Sequence, residues 1–192
     1  MTDTTGTLPE FRKVLMVIAQ EVSVSRIKTI TRGMEFAIEE LPADPAPANV
    51  YTVICLLTGK ALKMTFRVNF DPDTAKAIQA HVAGKPVAEV TQEVAADLFK
   101  EFSNLVSGGI QKMLQDQSVR TGIGLPLVMT PTMPVPSIFK KTVYDHHWAL
   151  KSGDLKFYCA LSVGVMEQTA LENLKVPDFA KAVEDEGSVD FL

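Results

Sequence analysis

Two pairs of β-rich runs limit what this chain can fold into. Val50 to Leu57 and Ala61 to Phe70 are separated only by Thr58-Gly59-Lys60, and Thr142 to Leu150 and Leu155 to Val165 only by Lys151-Ser152-Gly153-Asp154. Linkers this short join neighbouring strands antiparallel, because a parallel return needs a dozen or more residues. Helical patterns lie around these hairpins. Phe11, Val14, Leu15, Ile18, Ala19 and Val22 recur at helical spacing. Asp71-Pro72-Asp73-Thr74 opens a second helix that closes at Gly84, with proline near its first turn. A longer helix begins around Val87 to Glu89 and runs to about Gln117. The β-branched stretch Ile27 to Leu41 reads as one or two short strands broken at Gly33, and Thr121 to Thr130 as a strand around Leu125-Pro126. The expected fold class is therefore α+β, with roughly six strands in an antiparallel sheet and long helices packed on one face.

Composition narrows the function. Apolar residues make up 46% of the 192, enough for one core, and the net charge of −4 comes with no basic block, which argues against nucleic acid. Val14 to Ala19, the longest apolar run near the N-terminus, is too short to span a bilayer or to form a signal-peptide core, so no membrane insertion is expected. Cys55 and Cys159 stand alone, without metal-ligand spacing or a disulfide framework. They read as buried small hydrophobes in a reduced, cytoplasmic protein. Proline breaks the chain in the loop Pro42 to Pro47 and in the connector marked by Pro131, Pro134 and Pro136. The organisation is an N-terminal tail over 1–10, one domain over 11–166 and an acidic extension over 167–192.

The long helix carries the stretch KEFSNLVSGGIQKML, Lys100 to Leu114. At 100° per residue, Val94, Leu98, Phe102, Leu105, Val106, Gly109 and Met113 form the expected core stripe. Asp97, Glu101, Asn104, Gly108 and Gln111 share a flank, with Glu101 and Asn104 as surface neighbours three apart. Each glycine of the Gly108-Gly109 pair costs about 1 kcal/mol against alanine in a helix. Gly108 removes a side chain that would crowd Asn104, whereas Gly109 faces the core and admits a close neighbour. By itself such a Glu-x-x-Asn pair reads as a solvated helix surface.

The wider pattern changes that reading. Glu101-Phe102-Ser103-Asn104-Leu105-Val106-Ser107-Gly108, with Asp97 one turn earlier and the Leu125-Pro126 strand after it, resembles the signature of the CheC/CheX/FliY chemotaxis phosphatase family. The resemblance covers about Phe11 to Met166, through the Thr58-Gly59-Lys60 hairpin and the helix opened by Asp73-Thr74-Ala75. Gln20-Glu21-Val22-Ser23-Val24 in the first helix lacks the asparagine of a second site, so the chain resembles the one-site, CheX-like branch. Ser103 departs from the family pattern, where glycine is common, and the acidic extension lies beyond the resemblance.

The resemblance implies hydrolysis of the phosphoaspartate of a CheY-type response regulator. Asn104 would position the attacking water and Glu101 would pair with the regulator's lysine. Asp97, Ser107 and Gly108 would form the partner-binding face. No cofactor of the chain's own is implied, since the Mg²⁺ belongs to the regulator, and a homodimer is implied. The alternative is a non-catalytic module that binds a regulator or a flagellar switch component through the same helix.

Other motifs rank lower. His146 and His147 are adjacent in a strand and point to opposite faces, so they would not share a metal. His81 reads as a cap or surface residue. Gly122-Ile123-Gly124 has no lysine-serine to make it a phosphate loop. The prolines from Pro131 to Pro136 read as a rigid connector.

Overall fold

A computed structural model describes residues 10–44, 50–133 and 144–179. It contains helices α1 (Glu10–Ile30), α2 (Pro72–Ala83) and α3 (Gln92–Gln115). The strands are β1 (Ala37–Leu41), β2 (Tyr51–Gly59), β3 (Leu62–Phe70), β4 (Thr121–Ile123), β5 (Leu127–Met129), β6 (Tyr144–Ser152) and β7 (Leu155–Val165). They form one antiparallel sheet in the order β1-β6-β7-β3-β2, with β4 and β5 both paired to the outer edge of β2. The fold class is α+β, as expected, with both hairpins in place. Gly153 takes a left-handed φ of 58° in the tight turn that leaves Ser152 opposite Leu155.

Strand alternation divides the sheet. Met64, Phe66, Val68 and Phe70 of β3 face the helices and are fully buried, while Lys63, Thr65, Arg67 and Asn69 line the other face. That second face is not bare. Asp44, in the segment that leaves β1, pairs with Arg67 of β3 there.

Three expectations need correction. The stretch from Ile27 is helix rather than strand as far as Ile30. The hydroxyls of Ser23, Thr29 and Thr31 donate to the carbonyls of Ala19, Ser25 and Ile27 at 2.6, 3.0 and 2.6 Å, and Ile27 is fully buried. The burial of Ile27 outweighs the low helix propensity of β-branched residues, and the hydroxyls are satisfied within the helix. Next, α3 begins at Gln92, capped by the Thr91 hydroxyl, and Val87–Glu89 is a separate 3₁₀ turn. Finally, the core stripe of α3 is rotated. Phe99, Phe102, Val106 and Ile110 are buried, with Ser103 and Ser107 beside them, while Val94 is 47% exposed. The two large rings take the deepest positions because they remove the most apolar area from water, and this turns Val94 outward.

The rings seat α3 on the sheet. Phe99 stacks on Phe70 at 4.0 Å and meets Phe157 edge-on at 5.0 Å. Phe102 meets Phe157 at 5.5 Å and Phe66 at 6.1 Å. The small residues Ala95 and Ala96 are buried in the first turns of α3, the half of the helix that follows α2. Further along, α1 crosses α3 at Gly109, where a Cβ would lie 2.5 Å from Val22 Cγ1. The first part of the acidic extension is docked: Leu171 and Leu174 are buried, and the Lys175 amide donates to Gln117 Oε1 at 2.7 Å. Pro134, Pro136 and the end of the extension, 180–192, lie outside the described residues, as does the tail before Glu10.

The glycine pair gives a direct check on this packing. Gly109→Leu should lower stability by about 1–3 kcal/mol, because Val22 is β-branched, buried and unable to yield. Gly108→Leu should be neutral or stabilising by about 0.8 kcal/mol, since nothing lies within 4 Å of a Cβ there. Denaturant melts of the two variants test this, and equal losses would show that α1 does not approach at Gly109.

Candidate functional site

Once Phe99 and Phe102 are seated, the opposite arc of α3 must face water. Asp97, Glu101 and Asn104 are exposed there in successive turns, and Gly108 continues the row with open space above it. The spacing that placed Glu101 and Asn104 together is therefore retained. Neither side chain forms a hydrogen bond or ion pair with any other described residue, so carboxylate and amide are both available to a partner. Asp97 is less free, because Lys100 Nζ bonds its Oδ1 at 2.6 Å.

Ser107 requires a correction. It is fully buried and does not lie on the partner-binding face expected for it. One residue is 100° on the helix, which carries position 107 from the exposed row towards the sheet edge. There its hydroxyl sits by the Cys55 thiol of β2. Burial raises the Cys55 pKa, against the smaller lowering effects of the Ser107 hydroxyl and the Leu56 amide. Ser103, also fully buried, lies one turn before Ser107 on the packed side of α3.

The sheet edge beside Ser107 and Cys55 is interrupted. Ile123 of β4 pairs with Leu57, but Leu127 of β5 pairs with Ile54, so four steps on one strand span three on β2. Gly124-Leu125-Pro126 is thus a bulge opposite Cys55 and Leu56. It is tied down from three sides. The Gly124 amide donates to Leu56 O at 2.8 Å, Cys55 Sγ donates to Gly124 O at 3.3 Å, and Gln111 Nε2 of α3 donates to Thr121 O. The Leu125-Pro126 pair marked a strand in the sequence, but the single strand expected there is two short ones. Nothing in the sequence showed that Leu125 would stand 89% exposed.

The two histidines do point to opposite faces. His146 turns toward α1, where Gln20 Nε2 lies 3.0 Å from its Nε2, and it stacks on Trp148. Burial lowers its pKa, with Glu40 opposing and His147 adding to the shift. Among the described residues, no group of three or more His, Cys, Asp or Glu converges as a metal site would require. Cys55 and Cys159 are both buried and unpaired with each other. No described helix is long and apolar enough to cross a membrane.

No family model and no curated protein matches the chain. Solved structures do. A CheC-like superfamily protein from Shewanella sp. PV-4 superposes with a TM-score of 0.62 at 18% identity, over 82% of this chain and 99% of that one. The chemotaxis protein CheX from Vibrio vulnificus gives 0.64 at 16% identity, over 78% and 99%. A chain of the CheX–CheY–BeF3–Mg²⁺ complex from Borrelia burgdorferi gives 0.63 at 14% identity, over 81% and 99%. The three helices and the hairpin-built sheet described for this chain thus have the fold of the CheC-like and CheX proteins.

Proposed function

We propose that this chain docks a phosphorylated CheY-type response regulator through the exposed flank of α3 and hydrolyses its phosphoaspartate. The observation that carries the proposal is the unengaged Glu101–Asn104 pair beside the open position over Gly108. A likeness in fold to a CheX captured with CheY supports it.

An acyl phosphate needs little beyond an in-line water and neutralised charge. Water attacks phosphorus, the bond to the aspartyl oxygen breaks, and the regulator's carboxylate and inorganic phosphate leave. The Asn104 amide can accept from and donate to that water, holding it in line and removing part of the entropic barrier. The Glu101 carboxylate pairs with the regulator's lysine and fixes the docked register. The Mg²⁺ that neutralises the phosphoryl oxygens comes with the regulator. Gly108 keeps the helix low enough for the regulator's loops to approach. Working inside the cell on a regulator, the protein is expected to be cytoplasmic. We also propose a homodimer. The β4–β5 edge is broken by its bulge, but β1 offers an unbroken edge that a second copy would cover.

Asn104→Ala should lower turnover of the phosphorylated regulator roughly a hundred- to a thousand-fold, about 3–4 kcal/mol, with the fold unchanged. Acyl-phosphate loss measures this, and near-normal turnover would remove the water-positioning role. A regulator bound tightly but hydrolysed no faster by the wild type would instead indicate the non-catalytic module. Glu101→Gln should weaken docking, and the defect should shrink as salt rises, because an interfacial charge pair is screened. A salt-independent defect would contradict the ion pair. Sedimentation should give twice the 21.0 kDa chain mass at micromolar concentration, and a monomer would exclude the dimer.

A further inference from the structure

Leu125 is the most exposed large apolar side chain among the described residues, at 89%. A leucine at a mobile tip would need no explanation, but this one is held. The residue before it bonds through its amide to Leu56 O and through its carbonyl to Cys55 Sγ. Pro126 after it fixes its own φ and restricts Leu125 as well. Three residues facing two on β2 push the bulge out of the plane of pairing, and bulges of this kind re-aim side chains.

The bulge is also next to the candidate site. Gly124 touches Cys55, and Cys55 lies by the Ser107 hydroxyl. Ser107 immediately precedes Gly108 and follows Asn104 by one turn. Gln111, one turn beyond, ties α3 to β4. Leu127, though 62% exposed, belongs elsewhere. It pairs with Ile54, whose neighbours Val53 and Cys55 face the helices, so Ile54 and Leu127 face away from them.

We infer that Leu125 is an anchor for the regulator: the bulge presents it as the apolar half of a docking surface whose polar half is Glu101 and Asn104. The inference rests on the function proposed above and adds to it the residue that sets affinity. An apolar side chain on a backbone already held before docking can bury area in a complex without the cost of ordering a loop. The occupant is the response regulator, because the bulge adjoins the helix that carries Glu101 and Asn104. Leu125 touches no reacting atom and acts on affinity alone.

The test uses the full chain and a CheY-type regulator that the wild type dephosphorylates, held in its active form with beryllofluoride and Mg²⁺. Leu125→Asp should raise Kd at least tenfold, and in turnover assays it should raise KM while kcat stays within about twofold. Leu125→Gln should weaken binding in the same direction, and circular dichroism should show both variants folded. Leu127→Asp, on the other face, should leave Kd within about twofold. A Kd for Leu125→Asp within twofold of wild type would overturn the inference. So would an unchanged Kd accompanied by loss of a dimer in sedimentation, which would assign Leu125 to a second copy. If the wild type dephosphorylates and binds no CheY-type regulator, the proposed function fails, and this inference fails with it.

Discussion

The stacking of Phe99 on Phe70 at 4.0 Å, braced by Phe102 against Phe66 and Phe157, fixes the rotation of α3 about its own axis. Each ring is fully buried, so turning the helix by one residue would move one of them into water at a cost of roughly 1.5–3 kcal/mol. The rest of the candidate site depends on that rotation. With the rings down, Asp97, Glu101, Asn104 and Gly108 are up, Ser103 is buried, and Ser107 is beside Cys55 of β2. A helix of the same sequence rotated to the stripe of Val94, Leu98 and Leu105 would carry its polar pair towards a neighbour.

Two close approaches set how deep the helix lies. Gly109 lets α1 approach to where Val22 would meet any Cβ. Ser107 does the same on the β2 side, beside Cys55, with a small side chain in place of none. The adjacent glycines thus answer different demands: position 109 admits another helix, and position 108 leaves its outer side open. The exposed flank of α3 lies between the approach of α1 at Gly109 and the sheet edge reached through Ser107 and Cys55. A protein partner could approach it more readily than a small molecule could be enclosed by it.

Much of this was legible in the sequence. The hairpins were, because short polar turns between β-rich runs leave the chain one way to return. The Glu101–Asn104 flank was, because helical spacing places residues three apart together whatever packs opposite. The core stripe was read less well. A wheel counts valine and leucine equally with phenylalanine, and it gives no reason to bury Ser103 or Ser107. The end of α1 is not legible, because Ile27, Thr29 and Ile30 have the β-branching of a strand and only the burial of Ile27 keeps them helical. The bulge could not be read at all. It exists only as a mismatch of register between β2 and its two short partners, and register is a property of pairing.

The central claim is that α3's exposed flank and the bulge together form the face that meets a response regulator. Amide chemical-shift mapping with beryllofluoride-activated regulator and Mg²⁺ tests it most directly. The account predicts that the shifts concentrate on Glu101, Asn104, Gly108 and Leu125 and leave Lys63 and Tyr158, on the helix-free face, unchanged. Shifts clustered on that face or along β1, with α3 and the bulge silent, would contradict it.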